Sequence, residues 1–166
     1  MATVTLQGNT INTNGDLPAV GSSAPDFKLT DGELNDKTLN DFAGKKLILN
    51  IVPSLDTGVC AMSSKKFNEA VKDLNNTQVL IISADLPFAQ SRFVQQESLS
   101  NVTTLSEMRD RNFAKDYGVL IQDGPLAGIL ARAVVVVDES GKIIYTELVP
   151  EITQEPDYDK ALSTLA

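Results

Sequence analysis

With 166 residues, 42% of them apolar and 22% charged, the chain is long enough to close one substantial core, and residues 1–166 read as a single domain. Twenty-two acidic against fourteen basic residues leave a net charge of -8 with no basic cluster to neutralise phosphates, so nucleic acid is not expected as a partner. Histidine is absent and Cys60 is the sole cysteine, which excludes a cysteine–histidine couple, an internal disulfide and a zinc site built from sulfur and imidazole.

Taken in chain order, VTLQG at 3–7 and NTINT at 9–13 pair as an N-terminal β-hairpin. DFKLTDGELN, 26–35, carries a DG turn between two short alternating segments. KTLNDF, 37–42, reads as a helical turn stopped near Gly44, and KLILNIV, 46–52, as a concentrated apolar strand ended by Pro53. Over 59–74, Phe67, Ala70, Val71 and Leu74 recur at helical spacing with one face for a core. QVLIISA, 78–84, is again a strand, and LPFAQSRFVQQE is a helix with Pro87 in its first turn. VTTL, 102–105, is a short strand; RDRNFAKDYGV is a helix that Gly118 closes. ARAVVVVD and KIIYTEL are strands joined through ESG, and a last helix falls around 157–165. Strands separated by helices predict an α/β domain with a mixed central sheet flanked by helices. The longest wholly apolar run, Ala133 to Val137, is far short of a membrane span, and no positively charged start leads into a signal-length apolar stretch. A cytoplasmic protein without a membrane partner is expected.

This order places PSLDTGVC, 53–60, between the end of a core strand and the start of a helix, with Asp56 or Thr57 as the cap. Cys60 then falls in the first helical turn, where unpaired N–H groups and the helix dipole favour a thiolate over a thiol. Its alternative is a small buried apolar side chain. Arg132 interrupts ILARAVVVVD at the start of a core strand, where a cation must reach solvent or meet a partner. It is either a structural ion-pair residue or a guanidinium set beside Cys60; only the second requires contact with sulfur.

Pro53, Thr57 and Cys60 form P-x-x-x-T-x-x-C, which resembles the peroxidatic signature of the peroxiredoxins. NIVPSLDTGVC, ISADLPFAQSRF, YGV, GPLAGILARAVVVVDE and ELVPEITQEPDY together resemble the atypical 2-Cys thiol peroxidase subfamily of bacteria over almost the whole chain. The resemblance implies a thioredoxin-like fold. It also implies a thiol-dependent peroxidase acting on hydrogen peroxide and alkyl or lipid hydroperoxides, with Cys60 as the peroxidatic sulfur oxidised to a sulfenic acid. On the same ground, Thr57 holds the sulfur and peroxide oxygen in register, Pro53 shields the sulfur, and Arg132 lies beside the thiolate. Leu55, Val59, Leu86, Phe88 and Phe93 are either an apolar approach to the sulfur or simply core. No metal or organic cofactor is implied; thioredoxin is the usual reductant, and a homodimer joined near the active-site face is the family expectation.

In two places the chain departs from that pattern. Gly58 stands where many relatives carry proline, and Val94 takes the place of the resolving cysteine, so the usual intramolecular disulfide is unavailable. Three explanations stay open: a one-cysteine peroxidase recycled by an external thiol, an engineered loss of the resolving residue, or a single-turnover redox sensor or relay acting through mixed disulfides.

Overall fold

The β-branched and leucine-rich runs form the centre of a mixed sheet. In the computed structural model, which describes residues 1–165, Thr3–Leu6 (β1) and Asn9–Asn12 (β2) form an antiparallel hairpin of their own. The main sheet contains Lys28–Thr30 (β3), Asp36–Thr38 (β4), Lys46–Ile51 (β5), Thr77–Ser83 (β6), Val102–Ser106 (β7), Ala133–Val137 (β8) and Ile143–Leu148 (β9). Their spatial order is β4-β3-β7-β6-β5-β8-β9. β5, β6 and β7 run parallel, while β8 joins β5 antiparallel and places Ala133 opposite Ile51. The helices are Gly58–Ala70 (α1), Pro87–Gln96 (α2), Asn112–Asp116 (α3) and Tyr158–Ser163 (α4).

Alternation along the strands divides the core into two layers. Leu47, Leu49, Ile51, Leu80, Ile82, Val135 and Val137 face one side, with Phe27, Phe113 of α3, Tyr117 and the hairpin residues Val4 and Ile11. Ile48, Val79, Ile81, Val134 and Val136 face the other, against Cys60 and Phe67 of α1, Phe93 of α2 and Ala161 of α4. Because both faces are covered, the central strands read as nearly unbroken apolar runs rather than as an alternating pattern. Asn50 is the polar exception on the α1 side, buried and donating to Ser63 Oγ at 3.2 Å.

Several boundaries differ from expectation, α3 among them at Asn112–Asp116 within the expected 109–119, and two of the differences come through a local side-chain contact. The DG segment does not make a tight two-residue hairpin: Asp31 accepts N–H groups from Glu33 and Asn35, Leu34 adopts φ 68°, and the second strand begins only at Asp36. Lys37 and Thr38 therefore belong to β4, and the helical turn that follows is a 3-10 turn over Leu39–Phe42, started by Asp41 accepting the Thr38 N–H at 2.7 Å. α1 stops at Ala70 and tightens into a 3-10 turn over Val71–Asp73. Gly118 has φ 70°, and a Cβ there would overlap the Asp16 backbone, which accounts for glycine where the chain leaves α3.

Candidate active site

β5 delivers the chain to one end of the sheet, and buried Val52 and Pro53 carry it into the loop before α1. Thr57 is the cap residue, with extended backbone (φ -94°, ψ 146°) but no side-chain bond to the helix. Its hydroxyl donates to the Ser54 carbonyl at 3.0 Å instead. The first turn of α1 thus keeps N–H groups without a side-chain acceptor, and Cys60 is its third residue. Gly58 leaves open space at its Cβ position, where an added Cβ would meet nothing within 4 Å.

Cys60 is fully buried, at 0% exposure, and Arg132 nearly so at 2%. Arg132 precedes β8, the antiparallel neighbour of β5, and this pairing brings it back to the end of the sheet from which α1 starts. Its Nε donates to the Ile152 carbonyl at 2.6 Å, and Nη1 donates to Cys60 Sγ at 3.0 Å. Among the described residues no carboxylate forms an ion pair with Arg132. A buried guanidinium without an acidic partner thus sets a positive charge and an N–H donor directly against the sulfur. Of the two readings of Arg132, the structure has the one with contact to sulfur.

The apolar candidates separate. Leu55 and Phe93 are buried in the core, Val59 is half-buried, and Leu86 and Phe88 stand 52% and 65% exposed at the start of α2. Met62, in the next turn of α1 after Cys60, is also exposed. Val94 is half-buried and packs against the cluster that contains Cys60, so valine fills that position as an ordinary core-edge residue.

Sequence reasoning passed over Asp85. Its carboxylate accepts from Ser54 Oγ at 2.7 Å and from the Leu55 N–H at 2.8 Å, tying the Cys60 loop to the end of β6. The available signal was an acidic residue directly after an apolar strand, in ISADLP. Glu107, just beyond β7, is another: it is 1% exposed, and neither carboxylate oxygen has a partner within hydrogen-bond geometry. Burial pushes its pKa up to about 7, against the opposing pull of the Arg111 charge and the nearby Ala114 N–H.

Comparison with known proteins places the chain in a family. Residues 19–162 match the redoxin family. The sequence is 53% identical to a thiol peroxidase of Corynebacterium glutamicum over 165 residues, 99% of either chain. It is 54% identical to a thiol peroxidase of Mycobacterium bovis over 165 residues, again 99% of each. A peroxiredoxin-like protein from Aquifex aeolicus superposes with a TM-score of 0.93 at 42% identity, covering 99% of this chain and 96% of that one. The mixed sheet, its flanking helices and the added N-terminal hairpin are the thioredoxin-like fold of the peroxiredoxins. With the sequence match spanning nearly the full length and the same fold beneath it, the chain belongs to the redoxin family and, within it, to the thiol peroxidases.

Proposed function

We propose that the protein reduces hydrogen peroxide and alkyl or lipid hydroperoxides at Cys60, using an external thiol as reductant. The observation that carries this reading is the 3.0 Å contact between Arg132 Nη1 and Cys60 Sγ in the first turn of α1. The thiolate attacks the terminal peroxide oxygen along the O–O axis. The S–O bond forms as the O–O bond breaks, sulfur loses two electrons, and the departing alkoxide takes a proton from water to leave as an alcohol. Arg132 stabilises the thiolate and the charge growing on oxygen. Thr57, at the junction of loop and helix, turns its hydroxyl from Ser54 to the bound peroxide, and Pro53 keeps water from the sulfur.

Leu86 and Phe88, exposed at the start of α2, and half-buried Val59 in the first turn of α1 support a preference for peroxides with an apolar organic part. These exposed apolar side chains, with Met62 of α1, suit a contact between two copies, which makes a homodimer the expected assembly. With Val94 in the resolving position, the sulfenic acid is attacked by an incoming thiol: a mixed disulfide forms, water leaves, and a second thiol releases Cys60. Thioredoxin, with two thiols in one molecule, supplies both steps. Such a cycle belongs in the cytoplasm, where thiols are kept reduced.

The test is intact mass after one equivalent of tert-butyl hydroperoxide, with and without a sulfenic-acid trap, followed by excess thiol. Trapping at Cys60, reversal by thiol and continued peroxide consumption are expected. One equivalent of oxidation ending in a stable mixed disulfide would show a single-turnover relay instead, and no reaction at all would overturn the peroxidase reading.

A further inference from the structure

The loop that presents Cys60 is not held by its own backbone alone. Asp85 Oδ1 accepts from Ser54 Oγ at 2.7 Å, and Oδ2 accepts both the Leu55 N–H and Ser83 Oγ at 2.8 Å. Ser83 ends β6 and its hydroxyl also accepts Gln90 Nε2 of α2 at 3.1 Å; Gln90 in turn donates to the Leu105 carbonyl of β7 at 2.9 Å. The Asp85 carbonyl accepts from Ser106 Oγ. One half-buried carboxylate thus joins the Cys60 loop to β6 and, through Ser83, to the helix that carries Val94.

We propose that Asp85 is a positioning residue for the peroxide reaction: a latch that keeps the 53–57 loop closed, with Cys60 against Arg132, and that has to be released before an external thiol can reach the sulfur. This rests on the peroxidase reading above. Cys60 is fully buried, so a reductant much larger than a peroxide requires the loop to open. The two half-reactions therefore make opposite demands on the same two hydrogen bonds from the loop to Asp85, and without a cysteine at position 94 no internal thiol relieves that conflict.

Both oxygens of the carboxylate act as acceptors at this junction, and the Leu55 N–H can only donate. In Asp85→Asn one oxygen becomes an amide donor, which faces either Ser54 or the two donors now sharing Oδ2. The experiment compares the wild type, Asp85→Asn and Ser54→Ala in two rates: sulfenic acid formation with tert-butyl hydroperoxide, and alkylation of Cys60 by a bulky maleimide without peroxide. Alkylation is measured at alkaline pH, where an exposed thiol ionises unaided. Unfolding midpoints are followed in parallel. In Asp85→Asn, peroxide attack slows by about tenfold while alkylation quickens by about tenfold, the scale set by losing a hydrogen bond to a charged group. Ser54→Ala, which deletes one of the two bonds from the loop to Asp85, moves both rates in the same opposed directions by less. If either variant unfolds, the other carries the comparison. Rates unchanged from wild type, or both rates shifting in the same direction, overturn the latch. A wild type that forms no sulfenic acid refutes the peroxidase reading itself, so the two failures are distinguishable.

Discussion

Replacing Arg132 with methionine removes the guanidinium while keeping most of the buried side-chain volume. Two bonds go with it: Nη1 to Cys60 Sγ at 3.0 Å and Nε to the Ile152 carbonyl at 2.6 Å. Their consequences differ in kind. An unpaired buried carbonyl costs about 1–3 kcal/mol of stability, visible as a lower urea midpoint. On the proposed mechanism the sulfur loses its adjacent cation and the donor aimed at the charge that develops during attack. Removing one such donor from a water-excluded site slows the chemical step by roughly a hundred- to a thousandfold. Stopped mixing with an organic hydroperoxide, quenched with a sulfenic-acid trap and read by mass over a range of pH, measures the rate. Arg132→Lys restores the charge but cannot reach both partners, and recovers only part of it. An Arg132→Met protein that is less stable yet reacts as fast as wild type at every pH would falsify the catalytic role and reduce Arg132 to a structural cation.

Cys60→Ser should abolish peroxide consumption with little loss of fold, because the smaller hydroxyl fits within the space of the sulfur and can accept from Arg132 Nη1; persisting rapid consumption in a peroxide assay would remove Cys60 from the mechanism. Val94→Cys places a thiol at a position already packed against the Cys60 cluster, and should yield an internal disulfide after one equivalent of peroxide. A mass loss of two hydrogens, reversed by thioredoxin, checks it; an oxidised protein that retains a trappable sulfenic acid refutes it. Glu107 holds its proton up to about pH 7 when folded, against an ordinary value of 4.5. Between those values the unfolded chain releases a proton that the folded chain keeps, so this group's contribution to stability falls as pH rises through the window, by up to about 3 kcal/mol. Glu107→Gln should remove that slope, and urea midpoints for both proteins across the same pH range measure the difference.

Much of the site could be read from residue order. The apolar run KLILNIV, stopped by Pro53 and followed by a helical pattern, places Cys60 in a first helical turn because strand and helix periods are properties of the local chain. The same locality explains the elements around VLIIS and AVVVV. Two of the misread boundaries lie where side chains reorganise a turn: Asp31 taking two N–H groups lengthened the β3–β4 connection, and Asp41 drew Thr38 out of the expected helical turn.

The sequence by itself determined a mixed α/β chain with one sulfur nucleophile, no imidazole to activate it and no second thiol to resolve it, because composition and local periodicity are enough for those conclusions. Only the tertiary structure decided what Arg132 touches and what holds the 53–57 loop. Arg132 lies 72 positions from Cys60 and meets it through the antiparallel pairing of β5 with β8, while Asp85 reaches Ser54 across 31 positions because β5 and β6 end side by side. Such contacts are set by strand order and register, and neither is encoded in the spacing of residues along one segment.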